Sequence, residues 1–429
     1  MKLYTKILLG MILGIIVGFA FNQFGAAEYA AYIEPIGTIF IRLVKMLVVP
    51  LVLISLILGS ASLGDIRKVG KMGLKAFAFF MFTTAVAATI GIAVANIGQP
   101  GVGMPEEKKT ELIAQYEEQS LQQAAEAEEL AEKSELEKIF DLMVRIVPTN
   151  PFQSLAEGDM LGVIFFALFL GICITLIPPE KAAPLIKAFD GLNDAVIKMV
   201  TLAMETAPYG VFALMVGVVA TLGLDILVLL FKYAIIVLLG LILHVVITHF
   251  SFIYFYVRRS PLLFLRAIKE AILLGFSTSS SSATLPISMD VAQRNLGVSR
   301  EVSSFVLPLG ATINMDGTAL YQAVAAIFIA QVFGIDLTFV QQLTIILTAT
   351  LASVGAAGVP GAGMITLALV LGTIGVPETG LALIFGLDRL IDMCRTTINI
   401  IGDLTLTSVM AKSEGETVDI QLDRDIIPG

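Results

Sequence analysis

Charge is what this chain has least of. Only 15% of its 429 residues are Asp, Glu, Lys or Arg, against about 25% in a soluble globular protein. Hydrophobic residues make up 57% and mean hydropathy is +0.89, a balance that excludes the soluble class. Cysteine and histidine occur twice each. Cys173 and Cys394 both lie in apolar stretches, so no disulfide framework is expected. His244 and His249 fall within or at the end of one apolar stretch without metal-ligand neighbours, and read as core or interfacial residues. Neither HExxH nor GxSxG occurs and no histidine lies near a serine cluster, which excludes the usual hydrolase constellations. The N-terminal segment has a short basic start but no small-residue cleavage site, so it reads as a first spanning helix.

What fills the space is apolar sequence in long runs. Windows at 7–21, 76–95, 161–176, 226–246 and 364–374, with their neighbours, approach the ~20 residues a spanning helix needs. Strands of a membrane barrel alternate in period two, and these do not. The fold class is therefore an all-α polytopic membrane protein. Spans read near 4–22, 34–62, 70–97, 139–177, 184–221, 224–257, 299–332 and 378–411, giving eight transmembrane helices. Gly10, Gly14 and Gly18 make a small-residue ridge suited to close helix packing.

Net charge is −9, with no nucleic-acid partner expected, and its distribution says more than its sum. Lys2 and Lys6, Arg67, Lys68, Lys71 and Lys75, Lys181 and Lys187, Arg258, Arg259, Arg266 and Lys269, Arg294 and Arg300, and Lys412 gather at alternate ends of the apolar spans. The positive-inside rule puts those ends and both termini in the cytoplasm, and the segment 106–138 outside. That segment is rich in Glu, Gln, Ala and Leu and reads as a solvated extracellular helix, a flexible linker or a docking segment.

The C-terminal half repeats a pattern. An apolar segment at 261–275 meets GFSTSSSSATLPISM (275–289), turns near Pro286 and is followed by a span carrying LGATINMDGTALYQ (309–322). A second segment at 339–352 meets SVGAAGVPGAG (353–363) and returns to about 374, followed by a span carrying DRLIDMCRTTINIIGD (388–403). Counting each small-residue tip as a full crossing moves Arg294 and Arg300 outside; two re-entrant helical hairpins, about 260–293 and 338–374, entering from opposite sides as inverted repeats, restore the charge rule. Paired interrupted segments of this kind mark a transporter's binding site near the midplane. An ordinary cytoplasmic serine-rich loop is the competing reading of the first tip.

In the last span Asp388, Asp392, Arg395, Thr396, Asn399 and Asp403 fall within an arc of about 100° on an ideal helix. Charge at the membrane centre costs at least ~2.5–3.5 kcal/mol per group, so this stripe must face protein or a cavity. A structural ion-pair ladder accounts for an Arg–Asp pair but not for Asn399 and Asp403 on the same face. Arg395 offers a fork of donors for a carboxylate, and Asp392 suits an α-ammonium. Asp403 and Asp316, near Asn399 and Asn314, supply hard oxygens for a small cation such as Na⁺. Gly317 in mid-span is where the helix is expected to unwind. A passive channel is the rival reading, but Arg395 beside carboxylates suits an organic anion bearing an ammonium better than a bare ion.

With SSSSATLP (279–286), GATINMDGTALYQ (310–322), GAAGVPGAG (355–363), DMCRTTINIIGD (392–403) and VPTNPF (147–152) in view, the chain resembles the dicarboxylate/amino acid:cation symporters, the family of glutamate and aspartate transporters. The likeness runs from about 6 to 412, leaving out the Glu-rich insert and the acidic tail. It implies a homotrimer in the lipid of the cell (inner or plasma) membrane, with a scaffold part and a transport part that moves like an elevator. Scaffold helices would cover 1–66 and 139–222, the transport part 67–97 and 223–413, the insert 98–138 and an acidic cytoplasmic tail 414–429.

Carried over by motif, substrate contacts are implied at Ser280, Ser281, Thr318, Val359, Gly363, Asp392, Arg395, Thr396 and Asn399. One co-transported Na⁺ is implied at Gly310, Asn314, Asn399 and Asp403. A second falls among Thr312, Met315, Ser353, Val354 and Ala356. A third falls at Phe80 (through its carbonyl), Thr83, Thr84, Asn314 and Asp316. Proton-coupled relatives tend to carry asparagine where this chain has Asp403, and neutral amino acid carriers replace Arg395. Acidic amino acid carriers usually hold a further arginine at position 279 or 393; here these are Ser279 and Met393, which leaves the partner of Asp392 open. The expected function is not enzymatic: sodium-coupled symport of L-aspartate or L-glutamate into the cell. A C4-dicarboxylate or neutral amino acid symporter, driven by protons or sodium, is the alternative.

Overall fold

A computed structural model describes residues 3–62, 70–103, 144, 147–157, 159–223, 225–354 and 361–420, and among these every regular element is helical. The helices are α1 (Leu3–Gln23), α2 (Glu34–Met46), α3 (Val48–Ser62), α4 (Gly70–Gly98), α5 (Pro151–Glu157), α6 (Met160–Leu176), α7 (Pro179–Glu205) and α8 (Ala207–Leu222). Next come α9 (Asp225–His244), α10 (Pro261–Ala267), α11 (Lys269–Thr278), α12 (Ser281–Arg294) and α13 (Arg300–Ile313). The chain continues with α14 (Asp316–Val332), α15 (Phe339–Val354), α16 (Ala362–Thr373) and α17 (Leu381–Ser413). Most of the 98–138 insert, the residues 63–69 with Arg67 and Lys68, and the tail beyond 420 lie outside the described residues.

By length and composition, 5–23, 72–98, 226–257 and 300–332 are each long and apolar enough to cross a membrane. The stretch read as one span over 184–221 is a pair of helices, α7 and α8, bent by 51° at Thr206. The stretch over 34–62 is likewise divided, into α2 and α3. Large apolar side chains such as Leu13 and Ile16 on α1 and Phe231, Ile235 and Ile242 on α9 are exposed, which suits lipid rather than water. The glycine ridge packs α1 on α8: a Cβ on Gly14 would stand 2.6 Å from Phe212 O, and one on Gly18 2.8 Å from Val216 O. Only glycine lets the two backbones approach so closely.

At the centre lies α14, buried along nearly its whole length and packed by α4, α9, α15, α16 and α17. Helices α11 and α12 turn back on each other, as α15 and α16 do. With 10, 14, 16 and 12 residues, they rise only about 15–24 Å, short of the roughly 30 Å hydrocarbon core. The first turn is not at Pro286, which sits inside α12. It is at Ser279, held at φ +51°, followed by Ser280, whose hydroxyl caps α12 by accepting from Ala283 N at 3.1 Å. Ser299 caps α13 in the same way, accepting from Val302 N at 3.2 Å, and is itself held by Glu416 Oε1 at 2.6 Å.

The span carrying Asn314 is broken, but not at Gly317. Helix α13 ends as Asn314 (φ −85°, ψ 105°) and Met315 (φ −129°, ψ 46°) leave helical geometry, and α14 resumes at Asp316. Gly317 is already helical; its missing Cβ makes room for the Arg395 backbone, whose Cα would lie 2.9 Å away.

Candidate functional site

Three elements converge on one face of α17: the break between α13 and α14, the start of α16, and α4. The periodicity of the last span holds in three dimensions. Asp388, Asp392, Arg395, Thr396, Asn399 and Asp403 are all buried, Arg395 with 1% of its surface exposed.

The guanidinium of Arg395 is divided between two carboxylates. Its Nε donates to Asp392 Oδ1 at 2.9 Å and its Nη1 to Asp388 Oδ1 at 3.0 Å. Its Cζ stands 4.5 Å from the centroid of the Tyr321 ring. The remaining nitrogen, Nη2, is buried without a partner among the described residues. The start of α16 lies flush on this group: a Cβ at Gly363 would reach within 2.9 Å of both Nη atoms. Gly361, at φ +84°, donates its N–H to Asp392 Oδ2 at 3.1 Å, and Gln322 Nε2 donates to Gly363 O at 3.2 Å.

Besides Arg395, Asp392 has a second arginine partner that the sequence left open: Arg389, whose Nη1 donates to Asp392 Oδ2 at 3.3 Å. Sequence reasoning missed it by looking for the second arginine at positions 279 and 393. The signal was the i, i+3 spacing on the same helix. Two arginines therefore face two aspartates.

A second cluster lies one to two turns further along α17. Asn314 Nδ2 donates to Asp403 Oδ1 at 2.8 Å and to the Asn399 carbonyl at 2.9 Å, while Asn314 Oδ1 is buried without a partner among the described residues. Gly310 closes the wall, since a Cβ there would sit 3.0 Å from Asp403 Cγ and from Phe80 Cζ. Asn399 Oδ1 accepts from Gly317 N at 2.8 Å, tying the first turn of α14 to α17. Gly310, Asn314, Asn399 and Asp403 are thus brought together, with oxygens that suit a small hard cation.

Asp316 makes a third cluster with α4. Thr84 Oγ1 donates to its Oδ1 at 2.6 Å and Thr83 Oγ1 at 3.2 Å; Thr83 also meets the Phe80 carbonyl at 3.2 Å. The set Phe80, Thr83, Thr84, Asn314 and Asp316 is assembled as well. The other oxygen of Asp316 corrects the reading of the histidines: they are core residues, but His244 and His249 both have it as a metal-ligand neighbour.

Of the set proposed for a further cation, Thr312 Oγ1 and Ser353 Oγ each donate within their own helix, to Pro308 O and Thr350 O, and Met315 lies against Asn399 Nδ2 at 3.1 Å. Ala356 and Val359 lie outside the described residues, as does the side chain of Val354. Ser280, Ser281 and Thr318 are buried; Thr318 Oγ1 lies 3.9 Å from Met315 Sδ.

Comparison with known proteins gives the family. The chain matches the sodium:dicarboxylate symporter family over residues 3–413. It is 40% identical over 420 residues to the proton/sodium-glutamate symport protein of Bacillus subtilis (strain 168), covering 96% of this chain and 93% of that protein. It is 36% identical over 422 residues to the proton/glutamate-aspartate symporter of Escherichia coli (strain K12), covering 96% and 93%. It is also 36% identical over 424 residues to the C4-dicarboxylate transport protein of Bacillus subtilis (strain 168), covering 97% and 94%. With its described elements all helical, several of them apolar and of spanning length, and a charged cluster buried at their centre, the chain belongs to the sodium:dicarboxylate symporter family.

Proposed function

We propose that the protein is a sodium-coupled symporter that carries an acidic amino acid, L-aspartate or L-glutamate, into the cell by alternating access. The observation that carries this reading is the guanidinium of Arg395. Two of its nitrogens are fixed by Asp388 and Asp392, and the third is buried and unpartnered among the described residues beside Gly363. A buried donor without an acceptor costs about 1–3 kcal/mol, and a substrate carboxylate supplies the acceptor. Asp392 takes the α-ammonium, with Thr318, Thr396, Asn399 and the serine tip at Ser280 and Ser281 completing the pocket, and Val359 and Gly363 covering it.

Sodium is favoured over protons by the two further clusters. Each holds one carboxylate among neutral oxygens, Asp403 in one and the Oδ1 side of Asp316 in the other, the donor set of a hard monovalent cation and one that keeps the desolvation of charge small. Arg294 and Arg300, like Lys412, support a cytoplasmic face for the ends they occupy, with both termini inside and the chain in the plasma or inner membrane. A homotrimer with elevator movement of α4, α9 and the elements from α10 to α17 is the assembly we assign.

A second reading draws on Arg389. Its ion pair with Asp392 offsets the negative charge that would repel a doubly anionic substrate, so a C4-dicarboxylate fits the same pocket with Arg389 and Arg395 as its two cations. The test is uptake of labelled L-aspartate into liposomes under an inward sodium gradient, a proton gradient or neither, with glutamate and succinate as competitors. Concentrative uptake on sodium alone, blocked by glutamate, supports the first reading. Succinate as the stronger competitor selects the second, and uptake on protons alone overturns the sodium assignment.

A further inference from the structure

Two histidines occur in the whole chain, five residues apart, and both meet one carboxylate. On an α-helix a five-residue step turns about 140° around the axis, which would send the two imidazoles to different faces. The chain leaving α9 does not stay α-helical: Val245–His249 is a π turn, wound wide enough to place residues five apart on one side. The rings meet edge-on, with centroids 4.7 Å apart and planes at 81°. π segments are rare and gather at functional sites. Both imidazoles are fully buried. The Nε2 atoms stand 3.2 Å (His244) and 3.5 Å (His249) from Asp316 Oδ2.

The shorter of these contacts is within hydrogen-bond reach, and both are also compatible with ligation of one metal ion. Zn–N and Zn–O bonds of about 2.0–2.1 Å in tetrahedral geometry put ligand atoms about 3.3–3.4 Å apart, and the two observed separations lie on either side of that. His249 is the residue a purely structural role leaves unexplained. Neither of its ring nitrogens has a hydrogen-bond partner among the described residues, although the ring is 0% exposed. The outer contacts are also in place. Thr83 and Thr84 hold Asp316 through Oδ1, leaving Oδ2 for the cluster. Thr248 Oγ1 lies 3.2 Å from His244 Nδ1, so that ligation through Nε2 leaves Nδ1–H to donate to the hydroxyl, the usual outer-shell support of a metal-bound histidine. Gly402 keeps the wall clear: a Cβ there would come within 3.2 Å of His249 Cε1 and 3.4 Å of Asp316 Oδ2.

We propose that His244, His249 and Asp316 form a site for one divalent transition-metal ion of the zinc type, with a fourth position open. Two imidazoles and a carboxylate select such an ion over sodium, calcium or magnesium, which prefer all-oxygen shells. Because Asp316 is also assigned to a sodium ion above, occupancy inhibits uptake; that consequence rests on the transport reading, whereas the site itself does not.

The experiment titrates zinc chloride calorimetrically into the tag-free, purified chain in detergent and follows cobalt chloride by visible absorption. Expected are one ion per chain, the intense bands of tetrahedral cobalt with nitrogen and oxygen ligands, and a Kd raised about tenfold or more in H249L. T248V, which removes only the outer contact, is expected to weaken binding about tenfold and decides alone should H249L not fold. No binding to the wild-type chain, equal affinity in the variants, or cobalt bands showing thiolate charge transfer overturns the site. In liposomes, zinc is expected to inhibit uptake by wild type and to spare H249L. Zinc binding by a wild-type chain that transports nothing removes the transport reading and leaves the metal site standing; uptake indifferent to bound zinc removes the inhibition alone.

Discussion

Replacing Arg395 with lysine separates the role of its charge from the role of its fork. The guanidinium touches Asp392 through Nε and Asp388 through Nη1, at 2.9 and 3.0 Å, and these atoms lie on different edges of one plane. A lysine ammonium is a single point and reaches one carboxylate. It keeps the positive charge, so neither aspartate is left wholly uncompensated in a buried site, the situation that costs 3–5 kcal/mol and obscures results from alanine variants. What the substitution removes is one of the two aspartate contacts and the third donor, Nη2, which on the proposed reading binds the substrate carboxylate. One charge-assisted hydrogen bond is worth about 1.5–3 kcal/mol, so the Kd for L-aspartate is expected to rise roughly 10- to 150-fold in R395K. Calorimetric binding of L-aspartate to detergent-purified protein at saturating sodium measures it, beside a melting curve without ligand. A ladder that only holds α17 together makes the opposite pattern: a lower melting temperature and an aspartate Kd within about threefold of wild type. That result refutes the assignment.

Three further substitutions test the neighbouring assignments. In D392N the ammonium loses its charged partner, so aspartate binding is expected to weaken by about 1.5–3 kcal/mol while inhibition by succinate persists; equal aspartate affinity in mutant and wild type sinks the ammonium role. In R389A a partly exposed ion pair with Asp392 is lost, and the two readings diverge: succinate competition weakens roughly 5- to 30-fold if a dicarboxylate is bound between two arginines, and aspartate uptake is spared if Asp392 serves an ammonium. In D403N the carboxylate held by Asn314 becomes a neutral amide, and the sodium concentration for half-maximal uptake is expected to rise at least about tenfold. An unchanged sodium dependence, read from initial rates at fixed aspartate, removes Asp403 from the ion site.

What the sequence made legible follows from the physics of each element. The class was plain because apolar runs of spanning length and scarce charge leave little else. The stripe on α17 was plain because a straight α-helix obeys a fixed 100° step, and Asp388, Asp392, Arg395, Asn399 and Asp403 are buried together as that step requires. The serine run announces a tip, but Pro286 is its conspicuous turn former and the chain reverses at Ser279 instead. Proline is tolerated inside α12, where it sits in the second turn, and the left-handed residue that reverses the chain is a serine with no compositional mark. Gly317 is likewise the conspicuous hinge candidate in its span, since glycine permits unusual φ, but here it permits contact, and the unwinding falls on Asn314 and Met315.

The histidines show where periodic reasoning runs out. A fixed 100° step separates positions 244 and 249, so no inspection of α-helical faces would have paired them, and their common partner Asp316 lies more than sixty residues away. Only the local change to π geometry brings them together, and nothing in VVITH marks it. The same step explains why the clusters on α17 form one continuous polar wall. Arg395 and Asn399 are one turn apart; Asn399 is bonded to Gly317 N; and Gly402 packs on both Asn314 and Asp316. An ion at Asp403, one at Asp316 and a ligand at Arg395 would all press on the first turn of α14. On the proposed reading that shared turn is the physical basis for coupling: whatever orders Asn314 and Gly317 for one of them lowers the cost of ordering it for the others.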